Sequence, residues 1–174
     1  MLCLTVSLST MKQILRQFAS HRAHPVIQFV KYVISGGIVT IFSICIFALL
    51  TWKVFPSLQE HEFVVRFFNV HVEPMDEALR ARNYAFCKII EFLLANLVCY
   101  FINIAWVFER GKHSRRKEIL LFYTVSLISF VAGTALGIGL IAFLNAGAVM
   151  AYVANTIAAV LINFAGRKYY IFKG

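Results

Sequence analysis

The chain has 174 residues, 60% of them apolar and 14% charged, with a mean hydropathy of +0.76, which leaves no room for a separate soluble domain and implies one integral membrane domain. Its net charge of +9 raises nucleic acid as a partner, but the bases stand at the ends of apolar runs beside aromatic residues, where anionic lipid headgroups would meet them. Cys3, Cys45, Cys87 and Cys99 have no paired spacing and imply neither a disulfide nor a metal site.

Residues 1–11 form a weakly apolar leader with no basic start and no small-residue cleavage site, so no signal peptide is expected and Met11 is a candidate start. From Lys12 to Arg22, Ile14, Leu15 and Phe18 share a side that Lys12, Arg16 and Gln17 avoid, as in a helix lying on a membrane surface. The expected division is a cytoplasmic segment over 1–25 and a membrane domain over 26–174.

Tyr32 to Trp52 is a charge-free run of 21 residues, the centre of a first span over about 30–53. An external segment, 54–85, follows; Phe63 to Val72 within it is too apolar for a free loop and too short to cross, so it is expected against the membrane or over the helices. Pro74 before Asp76 and Glu77 looks like a helix start. Glu60, His61, Glu62 and His71 have no standard metal-ligand spacing. Phe92 to Phe108 is charge-free for only 17 residues, so the second span, about 86–108, is expected to begin its helix near Tyr84 and to carry Lys88 and Glu91 into the outer interface.

Ile119 to Gly166 then runs 48 residues without a charge or a histidine. As one helix it would measure about 72 Å, more than twice the roughly 30 Å hydrocarbon core. It must fold back, and Asn145, Ala146 and Gly147 form the expected hinge between spans at about 119–144 and 148–170.

Charge orients the four spans. Residues 1–31 net plus four, Glu109 to Glu118 plus three and Arg167 to Gly174 plus three, while Lys53 to Glu91 net minus one. With four spans all three basic segments fall on one side, and the positive-inside tendency puts both termini in the cytoplasm. The expected fold is therefore an all-α integral membrane protein with four transmembrane helices.

Spans two and four end alike: CYFINIAWVF (Cys99 to Phe108) aligns with NFAGRKYYIF (Asn163 to Phe172). A parallel two-plus-two repeat and a shared preference for aromatics and bases at the interface both account for this. FVKYVISGG (Phe29 to Gly37), NIAWVF (Asn103 to Phe108) and RKYYIF (Arg167 to Phe172), in this order and spacing, resemble the GtrA-like proteins, small four-span membrane proteins of bacterial surface-polysaccharide pathways. The resemblance covers the chain from about Val26. Two departures are Ile104 and Ala105, where the family pattern often has bases, and the long external segment. What the resemblance implies is translocation of a polyprenyl-phosphate-linked monosaccharide across the bacterial cytoplasmic membrane for cell-surface polysaccharide glycosylation, with no catalysis and no cofactor.

A lipid-linked sugar calls for cations at its entry face and neutral hydrogen-bonding groups at membrane depth. Gly147, Ala151, Asn155, Ala159 and Asn163 form one stripe on span four; Asn96, Tyr100 and Asn103 share a face of span two; Gly36, Thr40 and Ser43 share one of span one. Helix packing, aided by a GxxxG at Gly133 and Gly137, is the alternative role for these faces. Lys31 and Arg167 adjoin spans on the motif-bearing side and are the preferred phosphate ligands, with Lys168 and the bases of 110–117 as further candidates or plain lipid anchors. Glu91, with Lys88 three residues away, is either functional or a snorkelling pair. No nucleophile-base pair, glycine-rich phosphate loop or paired carboxylates stand out. Besides membrane lipids and the sugar carrier, a membrane glycosyltransferase is a candidate partner if the protein is a scaffold. A second copy is another, since four helices alone enclose little cavity. A small proton-coupled exporter would need a buried acid in an early span, and Tyr32 to Trp52 has none.

Overall fold

A computed structural model describes residues 2–21, 23–144 and 148–172 and is all-helical there. Its elements are α1 (Leu2–Ala19), α2 (Pro25–Leu49), the short α3 (Phe63–Phe68), α4 (Glu77–Ile102), α5 (Arg115–Leu144) and α6 (Ala148–Gly166). Among the described residues three helices are long and apolar enough to cross a membrane: Pro25–Val54, Glu77–Val107 and Arg115–Leu144. Each would reach about 45 Å at the α-helical rise. The 19 residues of α6 make a shorter rod. The expected hinge, Asn145 to Gly147, lies outside the described residues.

Exposure is inverted relative to a soluble protein. Ile34, Ile38, Ile41 and Ile44 on α2, Leu127, Phe130 and Val131 on α5, and Val153, Ile157 and Leu161 on α6 are exposed, whereas Lys31, Asn103, Glu118 and Arg167 are buried. This is the pattern of a multi-pass membrane protein, whose solvent for side chains is lipid.

Three helices end the same way. After α2, α4 and α6 the backbone widens into a π turn, at Leu50–Val54, Asn103–Val107 and Arg167–Ile171. The closing N–H groups of Phe55, Phe108 and Phe172 reach the carbonyls five residues back at 2.9, 2.8 and 2.9 Å. In the last two, the extra residue per turn lets consecutive side chains face inward: Val107 with Phe108, and Ile171 with Phe172, are all buried.

The described chain divides into two compact units, residues 36–98 and the remainder. In the larger unit α5 and α6 are antiparallel neighbours, since Gly133 meets Asn155 while Val125 meets Gly166. A Cβ at Gly133 would stand 2.2 Å from Asn155 Oδ1, so this glycine is what permits the close approach. An aromatic core fills one end of the unit, with Phe108 and Phe172 stacked at 5.2 Å, Tyr32 on Phe164 at 5.5 Å and Tyr100 on Phe122 at 5.7 Å. The amino-terminal helix extends back to Leu2 and docks here, Trp106 donating its indole N–H to the Phe18 carbonyl at 3.0 Å.

In the smaller unit, α4 begins at Glu77 rather than near Tyr84. Asp76 supplies the start, its Oδ2 accepting from the N–H groups of Ala78 and Leu79 at 3.1 and 3.2 Å. Asn83 anchors the preceding segment by donating to the Pro56 carbonyl at 2.8 Å. The apolar run Phe63 to Val72 includes α3, which buries Val65, exposes Phe63, Phe67 and Phe68, and ends at Asn69 in the left-handed region with φ 50°. Gly36 and Gly37 face open space within this unit.

Candidate functional site

Arg167 is the first residue of the π turn after α6, and its side chain is only 5% exposed. Its guanidinium donates to Cys99 Sγ at 3.2 Å and to Ser126 Oγ at 3.0 Å, and its Cζ lies 3.8 Å from the centre of the Phe122 ring. The Tyr32 ring is 5.4 Å away on another approach. No carboxylate among the described residues forms an ion pair with it, and its Nε is buried without an acceptor. A charge held this way is costly, because cation-π contacts and two neutral acceptors replace only part of its hydration.

Asn103 holds the matching first position of the π turn after α4 and is fully buried. Its Nδ2 donates to the Cys99 carbonyl at 2.7 Å and to Cys99 Sγ at 3.3 Å, while Oδ1 is buried with no donor. Arg167 and Asn103 therefore converge on one sulfur atom, the first with an idle donor and the second with an idle acceptor. Lys31, also fully buried, sends Nζ to the Ser20 carbonyl at 2.9 Å and lies 5.5 Å over the Trp106 ring. The next residue, Tyr32, is the one that faces Arg167.

A further buried polar group beside this cluster is an acid. Glu118, in the first turn of α5, accepts from the Tyr100 hydroxyl at 2.8 Å and from the Gly111 N–H at 3.1 Å. Gly111 must be a glycine here, because a Cβ would fall 2.1 Å from the Ile171 carbonyl oxygen. Glu118 thus fastens the 109–114 connection to α4 through Tyr100. Sequence reasoning counted Glu118 only in the net charge of Glu109 to Glu118 and gave it no role, and it missed the contacts of Cys99, Ser126 and Phe122. The available signal was an acid in the first turn of an apolar helix, directly after the basic stretch 110–117.

Of the sequence-predicted residues, Asn103 and Arg167 meet at Cys99 and Tyr100 reaches Arg167 through the Phe122 ring, whereas Lys31 turns to Ser20 and Trp106. Lys31 and Arg167 are enclosed rather than displayed at a rim. Lys168 is half-buried beside them, over the Phe164 and Tyr169 rings. Farther along α6, Asn163 donates to the Ala159 carbonyl and leaves Oδ1 buried and unpartnered, while Asn155 packs on Gly133. Gly147 of that stripe lies outside the described residues. Asn96 and Glu91 belong to the smaller unit: Asn96 bonds its own helix at the Phe92 carbonyl, and buried Glu91 pairs with half-exposed Lys88 at 2.8 Å. Among the described residues no three His, Cys, Asp or Glu side chains converge as a metal site.

Comparison with known proteins identifies a family. The family described as GtrA/DPMS, transmembrane domain, fits residues 31–172, which opens at Lys31 and closes at Phe172. No curated protein and no solved structure matches the chain. With most of its length, both motif-bearing helix ends and the buried Lys31, Asn103 and Arg167 inside that match, the chain belongs to the GtrA/DPMS transmembrane-domain family.

Proposed function

We propose that this protein carries a polyprenyl-phosphate-linked monosaccharide across the bacterial cytoplasmic membrane, crossing it four times with both termini in the cytoplasm. The family is associated with polyprenyl-phosphate-sugar glycosylation, and its small membrane proteins are generally non-catalytic. The observation that carries the proposal is the pair of buried cations, Lys31 and Arg167, enclosed without a carboxylate partner among the described residues. A phosphate entering the cluster would supply the missing anion, and the idle Arg167 Nε would gain an acceptor. Asn103 Oδ1 would accept a hydroxyl of the headgroup. Tyr100, Lys168, Asn155 and Asn163, and from the smaller unit Asn96 and Glu91, are further candidate contacts. The fourth crossing is α6, charge-free from Ala148 to Gly166.

The like placement of Asn103 and Arg167, each opening a π turn, supports a two-plus-two repeat as the origin of this site. In vesicles of purified protein, a fluorescent or radiolabelled polyprenyl-phosphate hexose is expected to exchange between leaflets, and Arg167→Gln is expected to abolish that exchange while inserting normally. Exchange at wild-type rate in Arg167→Gln refutes the role of this cluster.

A scaffold that positions a membrane glycosyltransferase without transporting is the second reading. It draws on the internal bonds of Lys31 and Arg167, which suit a role in holding helix ends together. The same vesicles divide the two, because a scaffold moves no lipid in the absence of its enzyme.

A further inference from the structure

The smaller unit contains a cavity of about 310 Å³, within the size range of small-molecule sites. It is framed by Phe47 and Thr51 at the end of α2, Ser57 and Glu62 in the segment that follows, and Arg80 and Tyr84 in the first turns of α4. The frame is tied down at several points. Asn83 holds the Pro56 carbonyl, the Ser57 N–H donates to the Thr51 carbonyl at 3.0 Å, and Glu62 Oε1 accepts from the Gln59 N–H at 2.8 Å. Its shape is thus fixed before any ligand arrives.

Two buried polar atoms of these residues have spare hydrogen-bonding capacity: Arg80 Nε has no acceptor, and Ser57 Oγ, on a residue only 9% exposed, has only the Cys87 thiol beside it. Arg80 is held from its other side by Glu77, to which Nη2 donates, so its idle N–H is fixed in direction. The Thr51 hydroxyl gives its proton to the Phe47 and Ala48 carbonyls at 2.9 and 3.1 Å, which leaves its oxygen as an acceptor. Apolar surface comes from Phe47 and Tyr84, whose rings meet edge to face at 5.6 Å.

Arg80 is already paired with Glu77, and Glu62 is the one carboxylate of the lining, which disfavours an anion and gives a metal ion too few ligands. What remains is closely spaced neutral donors and acceptors beside aromatic faces. A pyranose ring has the complementary form, with hydroxyls at its edge and C–H groups on its faces. We infer that this cavity binds the pyranose ring of a sugar, packed on Phe47 and Tyr84 and hydrogen-bonded to the Arg80 Nε–H and the Ser57 hydroxyl. The inference rests on the proposed function only in choosing a sugar among ring polyols.

The test is ligand-observed saturation-transfer NMR on the full chain in lipid nanodiscs, with methyl hexopyranosides as probes and glycerol as an acyclic polyol. Saturable transfer from the protein to at least one hexopyranoside, and none to glycerol, is expected. Tyr84→Ala and Arg80→Gln should each weaken binding about tenfold, with Tyr84→Phe, which keeps the ring, within about twofold of wild type. The exposed Leu127→Ala on α5, outside both sites, should bind like wild type, and saturable transfer in protein that shows no leaflet exchange would leave the cavity standing apart from translocation. Displacement of the probe by a short-chain prenyl-phosphate hexose supports a lipid-linked occupant, and displacement by free hexose alone supports a soluble one; either upholds a pyranose site. No transfer to any hexopyranoside, or equal transfer in wild type, Arg80→Gln and Ser57→Ala, overturns the inference.

Discussion

Arg167→Met separates a ligand-binding cation from a structural one. The substitution removes two hydrogen bonds from a charged donor, worth about 1.5–3 kcal/mol each and less where the acceptor is the Cys99 sulfur, plus about 2 kcal/mol of stacking on Phe122. Against that loss of roughly 5 kcal/mol stands the removal of a buried guanidinium with no carboxylate beside it, whose desolvation costs several kcal/mol. Methionine fills a similar length of space and leaves Ser126 and Cys99 as neutral groups that lose only a donor. The expected net change is within about 2 kcal/mol, equivalent to a shift of at most about 8 °C in Tm for a chain of this size. Leaflet exchange in vesicles, measured on the same preparation, is expected to fall to background. A loss of about 3–5 kcal/mol, the size typical of breaking a buried structural pair, would refute this reasoning if exchange fell only in proportion to the unfolded fraction. So would a stable variant that still transports.

Other substitutions test the packing that positions the cluster. Gly111→Ala drives a Cβ to 2.1 Å from the Ile171 backbone oxygen, which cannot move without shifting the last turn; a loss of about 2–3 kcal/mol is expected in chemical denaturation. Gly133→Ala presses on Asn155, mostly on its movable carboxamide, so about 1–3 kcal/mol is expected and Asn155→Ala should recover part of it in a double-mutant cycle. Trp106→Phe removes the donor to the Phe18 carbonyl, and tryptic cleavage after Lys12 and Arg16 should become several-fold faster while the remainder of the chain stays resistant.

The long helices were legible because lipid leaves a composition signal that survives without periodicity: charge-free runs of sufficient length. The paired endings were legible too, as Val107 with Phe108 and Ile171 with Phe172 occupy matched positions in the alignment and matched buried positions in the fold. Direction was not. A base next to an apolar run looks solvated in a charge count, and nothing local to Lys31 or Arg167 says that Ser20, Cys99 and Ser126, far away in sequence, will enclose them. Glu118 was lost for the same reason, since its partners Tyr100 and Gly111 lie on other elements. The start of α4 was read from Pro74, Asp76 and Glu77, but the charge-free run put a second start two turns later, near Tyr84, where the helix is continuous. The π turns at Leu50–Val54, Asn103–Val107 and Arg167–Ile171 leave no trace in composition, because a backbone widened by one residue per turn uses the same apolar residue types as an α-helix.

The unlike residues at the two like positions have a physical rationale. Asn103 and Arg167 both donate to Cys99 Sγ, at 3.3 and 3.2 Å, so their donor atoms share one small space. A second arginine in place of Asn103 would put two guanidinium groups around one weak acceptor, and their repulsion, little screened at this depth, would exceed any gain from the added donors. Asparagine supplies a donor without charge, and its idle oxygen adds an acceptor that arginine lacks. The cluster therefore holds donors for an anion and an acceptor for a hydroxyl within reach of the same sulfur atom. Asn103→Leu, which keeps approximate size and removes both functions, should leave Arg167 in place and lower leaflet exchange. Asn103→Arg should instead fail to insert or fold, and a well-folded, active Asn103→Arg protein would show that the asymmetry of the two helix ends has no electrostatic cause.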